Sequence, residues 1–120
     1  ELPAARKARY AAMGLGEYDV QELTADPATG PWFERLAAAH GDAKAAANWA
    51  IGEVRATLKE RGGDLATFAL APERLAALLD LVRDGAVSTT AARKVYAKLL
   101  ESPTAEPRAI AEAEGLLQVR

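Results

Sequence analysis

Apolar residues recur along this chain at the three- and four-residue spacing of an α-helix, and no segment shows the alternation of a half-buried strand. Alanine and leucine dominate and β-branched residues are scarce, which also favours helix. Leu75, Leu78, Leu79 and Val82, for example, fall at i, i+3, i+4 and i+7 and form one buried stripe. The pattern predicts an all-α fold, a multihelical bundle of about six to seven short helices.

Proline and glycine set the expected helix boundaries, because proline suits a first turn and glycine suits the position after a last turn. With polar caps such as Asp42 and Ser88, they predict helices over residues 3–13, 15–25, 31–39, 43–61, 72–84, 89–101 and 107–114. Residues 63–71 are predicted to form a loop whose apolar side chains fold back on the helices. We expect three regions: an N-terminal helical pair over 1–30, a main bundle over 31–102, and a last helix with a connector over 103–120.

The residue types exclude several kinds of active site. The chain has no cysteine and one histidine, His40, so thiolate sites, histidine-containing catalytic triads and multi-histidine zinc sites cannot be assembled. His40 is expected at a helix C-terminus. No glycine-rich phosphate loop follows a strand. Neighbouring acids, such as Glu17 with Asp19, do not share a helix face and are interpreted as solvated charges. We predict no catalytic residue and no metal site in this chain.

Charge and hydropathy narrow the class of protein further. A formal net charge of −2 argues against non-specific nucleic-acid binding by the whole surface. No apolar run approaches the roughly 20 residues that cross a bilayer, and no signal peptide opens the chain. We expect a soluble, cytoplasmic protein that binds neither membrane nor DNA. Because the chain starts at Glu1 without an initiator methionine, we also expect it to be a piece of a longer protein.

The stretch DAKAAANWAIGEVR combines a core face with a polar, basic stripe on the longest predicted helix. At about 100° per residue the core arc carries six apolar residues: Ala43, Ala47, Ala50, Ile51, Val54 and Leu58. A second arc of about 60° carries four polar residues: Lys44, Asn48, Arg55 and Lys59. Trp49 lies off the core arc, so its indole either packs under a neighbouring helix or faces a partner. A solvated charged face is the simplest interpretation of the stripe.

The predicted helix 89–101 carries a second basic face. Its apolar side holds Ala92, Val95, Tyr96 and Leu99. Its opposite side holds three cations: Arg93, Lys94 and Lys98.

Several motifs, in the same order, resemble the C-terminal helical region of the B subunit of tRNA-dependent amidotransferases and the related freestanding YqeY proteins. ELPAARKARY, LGEYDVQELTAD and WFERL are similar to the family's first segments. DAKAAANWAIGEV resembles its best-marked motif, Ala-Ala-Asn-Trp followed by a Glu-Leu pair. LAPERLAALLDLVRDGAVSTTAARKVYAKLLES and GLLQV complete the order. Gly16, Ala71 and Arg93 depart from the family pattern, which affects local capping and adds charge.

The resemblance implies a GatB/YqeY-like fold and membership of a glutamine-dependent, ATP-dependent C–N ligase. In that family the enzyme converts Glu-tRNA(Gln) and Asp-tRNA(Asn) to Gln-tRNA(Gln) and Asn-tRNA(Asn). The family's holoenzyme is a heterotrimer in which an amidase (A) subunit releases ammonia, and the large domain of the B subunit uses ATP and magnesium. Because that domain would precede Glu1, we expect no cofactor and no catalysis in this chain. The expected partners are tRNA and the A and C subunits.

Two interpretations of the chain's role stay open. In the first, it is a non-catalytic, tRNA-facing module whose phosphate contacts come from Lys44, Arg55, Lys59, Arg93, Lys94 and Lys98. In the second, it is a structural or protein-docking module that packs through Trp49 and its alanine-rich faces. In either, Trp49 is expected to fill a helix interface and the Asn48 amide to bind nearby groups. A third interpretation, a freestanding YqeY-like protein, fits poorly with the missing methionine and the long segment before Asn48.

Overall fold

The computed structural model describes residues 2–118, which form eight α-helices, one π-helical segment, one 3₁₀ turn and no strand. The α-helices are α1 (Pro3–Ala12), α2 (Glu17–Leu23), α3 (Thr29–His40), α4 (Ala43–Trp49), α5 (Arg55–Arg61), α6 (Pro72–Arg83), α7 (Thr89–Glu101) and α8 (Pro107–Ala113). A π-helical segment, Ala50–Val54, joins α4 and α5 into one continuous helix. The predicted all-α fold with up to seven helices is therefore confirmed. Within the described part of the chain no helix is both long and apolar enough to cross a membrane.

Contacts divide the chain into an N-terminal unit, Glu1–Phe68, and a C-terminal unit, Ala69–Arg120. In the N-terminal unit α2 contacts α1, α3, α4 and the π-helix, and in the C-terminal unit α6, α7 and α8 contact one another. Contacts also join α2 to α3 and α8 to α7, across the boundaries expected after residues 30 and 102. Glu1 and the end of the predicted connector, Val119 and Arg120, lie outside the described residues.

The start of α3 lies two residues ahead of the predicted Pro31. The Asp26 carboxylate accepts hydrogen bonds from the main-chain N–H groups of Ala28 (2.8 Å) and Thr29 (3.0 Å), and from Thr29 Oγ1 (2.7 Å). Pro31 then occupies the third position of the helix, where the missing N–H has no intrahelical partner to lose. The helix ends as predicted at His40, and Gly41 follows with φ of 83°.

The predicted helix 43–61 has the expected ends but not the expected interior. Asp42 caps it by accepting hydrogen bonds from the N–H groups of Lys44 (3.1 Å) and Ala45 (3.2 Å). Gly62 ends it in the left-handed conformation, with φ of 72°. Between them, the π-helical segment holds more residues per turn than an α-helix. A helical wheel at 100° per residue therefore does not continue unchanged across the whole helix.

The loop that follows folds back on the helices, as predicted. It contains a short 3₁₀ turn, Leu65–Thr67, which Asp64 caps. The Phe68 ring packs against Trp32 in the N-terminal unit, with ring centroids 6.0 Å apart. Leu70 is buried in the C-terminal unit.

The C-terminal unit is built on the two apolar stripes that the sequence predicts. Leu75, Leu78 and Leu79 of α6 are buried, whereas Val82 is half-buried. All four predicted core residues of α7 are buried: Ala92, Val95, Tyr96 and Leu99. The predicted cap of α7 is also confirmed, because Ser88 Oγ accepts a hydrogen bond from the Ala91 N–H at 3.0 Å. The polar face of α7 is therefore turned away from this core.

Candidate nucleic-acid interface

Acidic residues of α2 pair with two cations of the predicted basic stripe. Lys44 Nζ donates to Asp19 Oδ2 at 2.6 Å. The Arg55 guanidinium pairs with the Glu22 carboxylate and also donates to the Glu22 main-chain oxygen at 3.0 Å. Asp19 and Glu22 lie at i and i+3, so they share one face of α2. The interpretation of Asp19 as a solvated charge is wrong, since its residue is only 8% exposed.

The other two polar residues of the stripe are exposed. Neither the Asn48 nor the Lys59 side chain forms a hydrogen bond or ion pair with any residue in the described part of the chain. The Asn48 amide thus does not bind nearby groups as expected. Trp49, by contrast, is 9% exposed, which agrees with an indole that packs inside the helical unit. The adjacent Asn48 and Trp49 therefore occupy opposite environments.

The cations of α7 occupy a different environment from those of α4 and α5. Lys94 and Lys98 are exposed, and no carboxylate among residues 2–118 pairs with either ammonium group. Arg93 is exposed beside them and takes part in an interaction within the chain. Like charges at i and i+4 repel by a few tenths of a kcal/mol, about 0.2–0.5. Neither lysine has an ion-pair partner among residues 2–118, so the Lys94–Lys98 pair could accept a polyanion.

A polar network around the buried Tyr10, which sequence analysis missed, joins α1 to α3. Tyr10, whose side chain is fully buried, donates from Oη to Glu34 Oε2 at 2.7 Å, and Arg9 Nη1 donates to Glu34 Oε1 at 2.7 Å. The Tyr10 ring packs edge-on against Phe33, with centroids 5.3 Å apart. The hydrogen bond from Arg9, assisted by that from Tyr10, lowers the pKa of Glu34. Burial, followed by the hydrogen bond to Glu34, raises the pKa of Tyr10 well above its usual range.

The described residues offer no site for a structural or catalytic metal. No group of three or more histidine, cysteine, aspartate or glutamate side chains comes together in residues 2–118. His40 is buried as the last residue of α3, the helix C-terminal position expected for it.

Comparison with known proteins places the chain in a family. Residues 31–120 match the family model described as the GatB domain, GatB_Yqey. The chain belongs to this family. It is similar to the B subunits of aspartyl/glutamyl-tRNA(Asn/Gln) amidotransferases, with 45% identity to that of Geobacter sulfurreducens, 43% to that of Chlorobium phaeobacteroides and 41% to that of Enterococcus faecalis. The resemblance inferred from the motifs is thereby confirmed.

These alignments define how much of each relative the chain represents. Each covers 120 residues, 99% of this chain and 25% of the relative. The chain therefore spans about a quarter of the length of the curated relatives that it matches, and it corresponds to their C-terminal region. The similarity includes α1 and α2, which precede the GatB domain match at residue 31.

Proposed function

We propose that this chain is the non-catalytic, tRNA-facing helical module of the B subunit of an amidotransferase. In this proposal the whole enzyme is cytoplasmic, and it uses ATP and glutamine to convert Glu-tRNA(Gln) and Asp-tRNA(Asn) to Gln-tRNA(Gln) and Asn-tRNA(Asn). ATP and Mg²⁺ are held outside these 120 residues, and the A and C subunits are partners. The similarity to amidotransferase relatives over 99% of the chain favours this assignment over a freestanding YqeY-like protein.

The observation that supports an RNA-facing role is the unneutralised lysine pair of α7. Lys94 and Lys98 are about 6 Å apart along the helix axis, since each residue rises about 1.5 Å. Lys59, which is also exposed and unpaired among the described residues, is a third candidate. Ammonium groups bind phosphates without reading base sequence, so such contacts position a tRNA rather than select it. Because the contacts are few, we expect weak, salt-sensitive binding.

The test is fluorescence anisotropy of labelled tRNA(Gln) and of an unrelated RNA hairpin, titrated with this chain from low to physiological salt. The double variant Lys94→Ala/Lys98→Ala should bind roughly three- to tenfold more weakly at low salt. The slope of log affinity against log salt should fall by roughly 1 for each lost contact.

A matched control removes the same charge elsewhere. Lys7 and Arg61 are exposed and lack an acidic partner in the described residues, so Lys7→Ala/Arg61→Ala changes the net charge equally. It should leave binding nearly unchanged. An equal loss in both double variants would mean that only overall charge matters. Absence of binding by the unmodified chain, even at low salt, would refute the RNA-facing role.

A second candidate function, docking to protein, is favoured by a specific surface on the N-terminal helices. Three large apolar residues are exposed on or beside α1 and α2: Leu2, Met13 and Tyr18. A groove of about 440 Å³ between these helices is lined by four apolar and three polar residues: Ala8, Ala11, Leu15, Val20, Lys7, Glu17 and Gln21. Such an apolar surface suits a protein partner better than RNA. Tyr18→Arg should weaken binding to the purified A or C subunits if they use this surface, while Lys94→Ala should not.

A further inference from the structure

We infer that α2 shields a second phosphate-binding pair, Lys44 and Arg55, and thereby limits how much of this chain can bind RNA. The inference rests on the proposed function. It assigns to Asp19 and Glu22 the role of intramolecular competitors, whose carboxylates occupy the positions that RNA phosphates would take. Carboxylate and phosphate oxygens use the same N–H donors of lysine and arginine.

The geometry of the two ion pairs supports competition. The Lys44 side chain is 60% exposed although its Nζ lies 2.6 Å from Asp19, whose side chain is only 11% exposed. The ammonium therefore faces solvent above a buried carboxylate, and two of its three donors stay available. The Arg55 and Glu22 side chains are about equally exposed, at 36% and 33%. Both cations are thus within reach of an incoming polyanion.

The local charge explains why Lys44 and Arg55 should bind RNA poorly while they are paired with the carboxylates of α2. Lys44 and Arg55 contribute two positive charges, which Asp19 and Glu22 cancel. Asp26 also interacts electrostatically with Arg55, which helps to lower the pKa of that carboxyl, although its hydrogen bond with Thr29 lowers it most. An RNA phosphate would therefore meet a surface that is neutral or weakly acidic. On α7, by contrast, neither Lys94 nor Lys98 forms an ion pair with a carboxylate among residues 2–118.

The local structure of α2 allows its carboxylates to separate from Lys44 and Arg55. The helix has seven residues, and Gly16 at its N-cap supplies no side-chain hydrogen bond. A helix of that length is not stable by itself, so tertiary contacts hold it. Those contacts are the buried Val20 and Leu23 together with the two ion pairs. Ion pairs at this level of exposure are individually weak, so phosphates in excess could replace the carboxylates.

The experiment neutralises the competitors without changing their shape. Asp19→Asn/Glu22→Gln should bind tRNA(Gln) roughly three- to tenfold more tightly than the unmodified chain at low salt. Its slope of log affinity against log salt should be steeper by roughly 1 to 2. Adding Lys44→Ala/Arg55→Ala to that variant should abolish the gain, whereas the same pair of substitutions in the unmodified chain should change affinity less than about twofold.

A matched control separates release of these cations from a general charge effect. Glu112→Gln/Glu114→Gln removes two exposed carboxylates of the C-terminal unit that pair with no cation among residues 2–118. It changes the net charge by the same amount and should not tighten binding. An equal gain in the control would overturn the inference.

The remaining outcomes are also decisive. Thermal melts of tryptophan fluorescence show whether the Asp19→Asn/Glu22→Gln variant is folded. If it does not fold, two double variants of the unmodified chain are compared instead. A loss of affinity from Lys44→Ala/Arg55→Ala as large as that from Lys94→Ala/Lys98→Ala would show that α2 does not shield Lys44 and Arg55. If RNA binding depends on Lys94 and Lys98 but is unchanged by Asp19→Asn/Glu22→Gln, this inference is refuted while the proposed function still stands. If neither the unmodified nor the neutralised chain binds RNA, the proposed function fails as well.

Discussion

The α4–α5 helix and α7 carry similar sequence patterns but end in different electrostatic states. Each combines a buried apolar face with exposed lysine or arginine residues. On the α4–α5 helix, Lys44 and Arg55 meet carboxylates that lie 25 and 33 residues away in the sequence. On α7, Lys94 and Lys98 meet none within the part of the chain that the structure describes. How readily a cation binds a ligand therefore depends on the anions that other elements of the fold supply.

Truncation of Trp49 tests the packing side of this comparison and should give the largest effect. Trp49→Ala should lower the free energy of unfolding by about 3–5 kcal/mol, since a large buried aromatic side chain is lost. Urea denaturation followed by circular dichroism measures it. Asn48→Ala, one residue earlier and exposed, should stay within about 0.5 kcal/mol of the unmodified chain. A small effect of Trp49→Ala would instead mark a partner surface on the α4–α5 helix.

Local signals made much of the fold predictable from sequence. Proline, glycine and cap residues act within one turn, so the ends of the helix 43–61 and the caps Asp42 and Ser88 were predicted correctly. The π-helical segment was not, because every residue of AIGEV accepts helical dihedral angles and the local sequence leaves the hydrogen-bond register undetermined. The start of α3 was predicted two residues late. Asp26 accepts hydrogen bonds from N–H groups two and three residues ahead of it, but Pro31 is the stronger helix-start signal in the sequence.

The candidate site was less predictable than the fold. All six cations were identified from the sequence, yet their partners depend on tertiary structure. Asp19 and Glu22 reach Lys44 and Arg55 only once α2 packs on the α4–α5 helix, and no pattern within α2 indicates that contact. The Tyr10–Glu34 hydrogen bond likewise joins residues 24 apart in the sequence. Side-chain pairing between distant helices is therefore the part that periodicity cannot supply.

Two helical glycines allow one substitution to be compared in opposite environments. A Cβ on Gly30 would lie 2.8 Å from the Tyr10 hydroxyl and 3.1 Å from an Arg6 nitrogen, whereas a Cβ on Gly52 meets nothing within 4 Å. Gly30→Ala should cost about 1–3 kcal/mol of unfolding free energy because the buried Tyr10 must shift. Gly52→Ala should add up to about 1 kcal/mol, since alanine favours helix over glycine. Thermal melts of both variants measure the difference. A change in stability of the same sign in both would contradict the close packing of Gly30 against Tyr10.

Truncation of single lysines compares an ion-paired cation, Lys44, with one that has no acidic partner in the described residues, Lys98. Lys44→Ala should cost up to about 1 kcal/mol, because it removes the ion-pair partner of Asp19, although solvent screens the largely exposed ammonium. Lys98→Ala removes an exposed ammonium that has no acidic partner in the described residues, so it should stay within about 0.5 kcal/mol. Urea midpoints of the two variants give the comparison. Equal, negligible effects would mean that the Lys44–Asp19 pair contributes nothing to stability and that α2 is held by its apolar residues alone.

Acid should weaken the N-terminal unit through two carboxyls with lowered pKa values. Hydrogen bonds from Arg9 and Tyr10 lower the pKa of Glu34, and hydrogen bonds from Thr29 and Ala28 lower that of Asp26. A carboxyl whose pKa is lower when folded stabilises the fold above its unfolded pKa and loses that contribution as the pH falls through the folded value. The urea midpoint should therefore fall as the pH drops below about 5.

Tryptophan fluorescence follows this unit selectively, because both tryptophans, Trp32 and Trp49, belong to it. Glu34→Gln and Asp26→Asn should each lower the midpoint at neutral pH and flatten its dependence on pH. Each effect should stay below about 1 kcal/mol, since both groups are partly exposed and screened by solvent. A variant that keeps the full pH dependence would show that other carboxyls govern acid stability. If that variant were Glu34→Gln, the network that joins α1 to α3 would act through packing around Tyr10 rather than through charge.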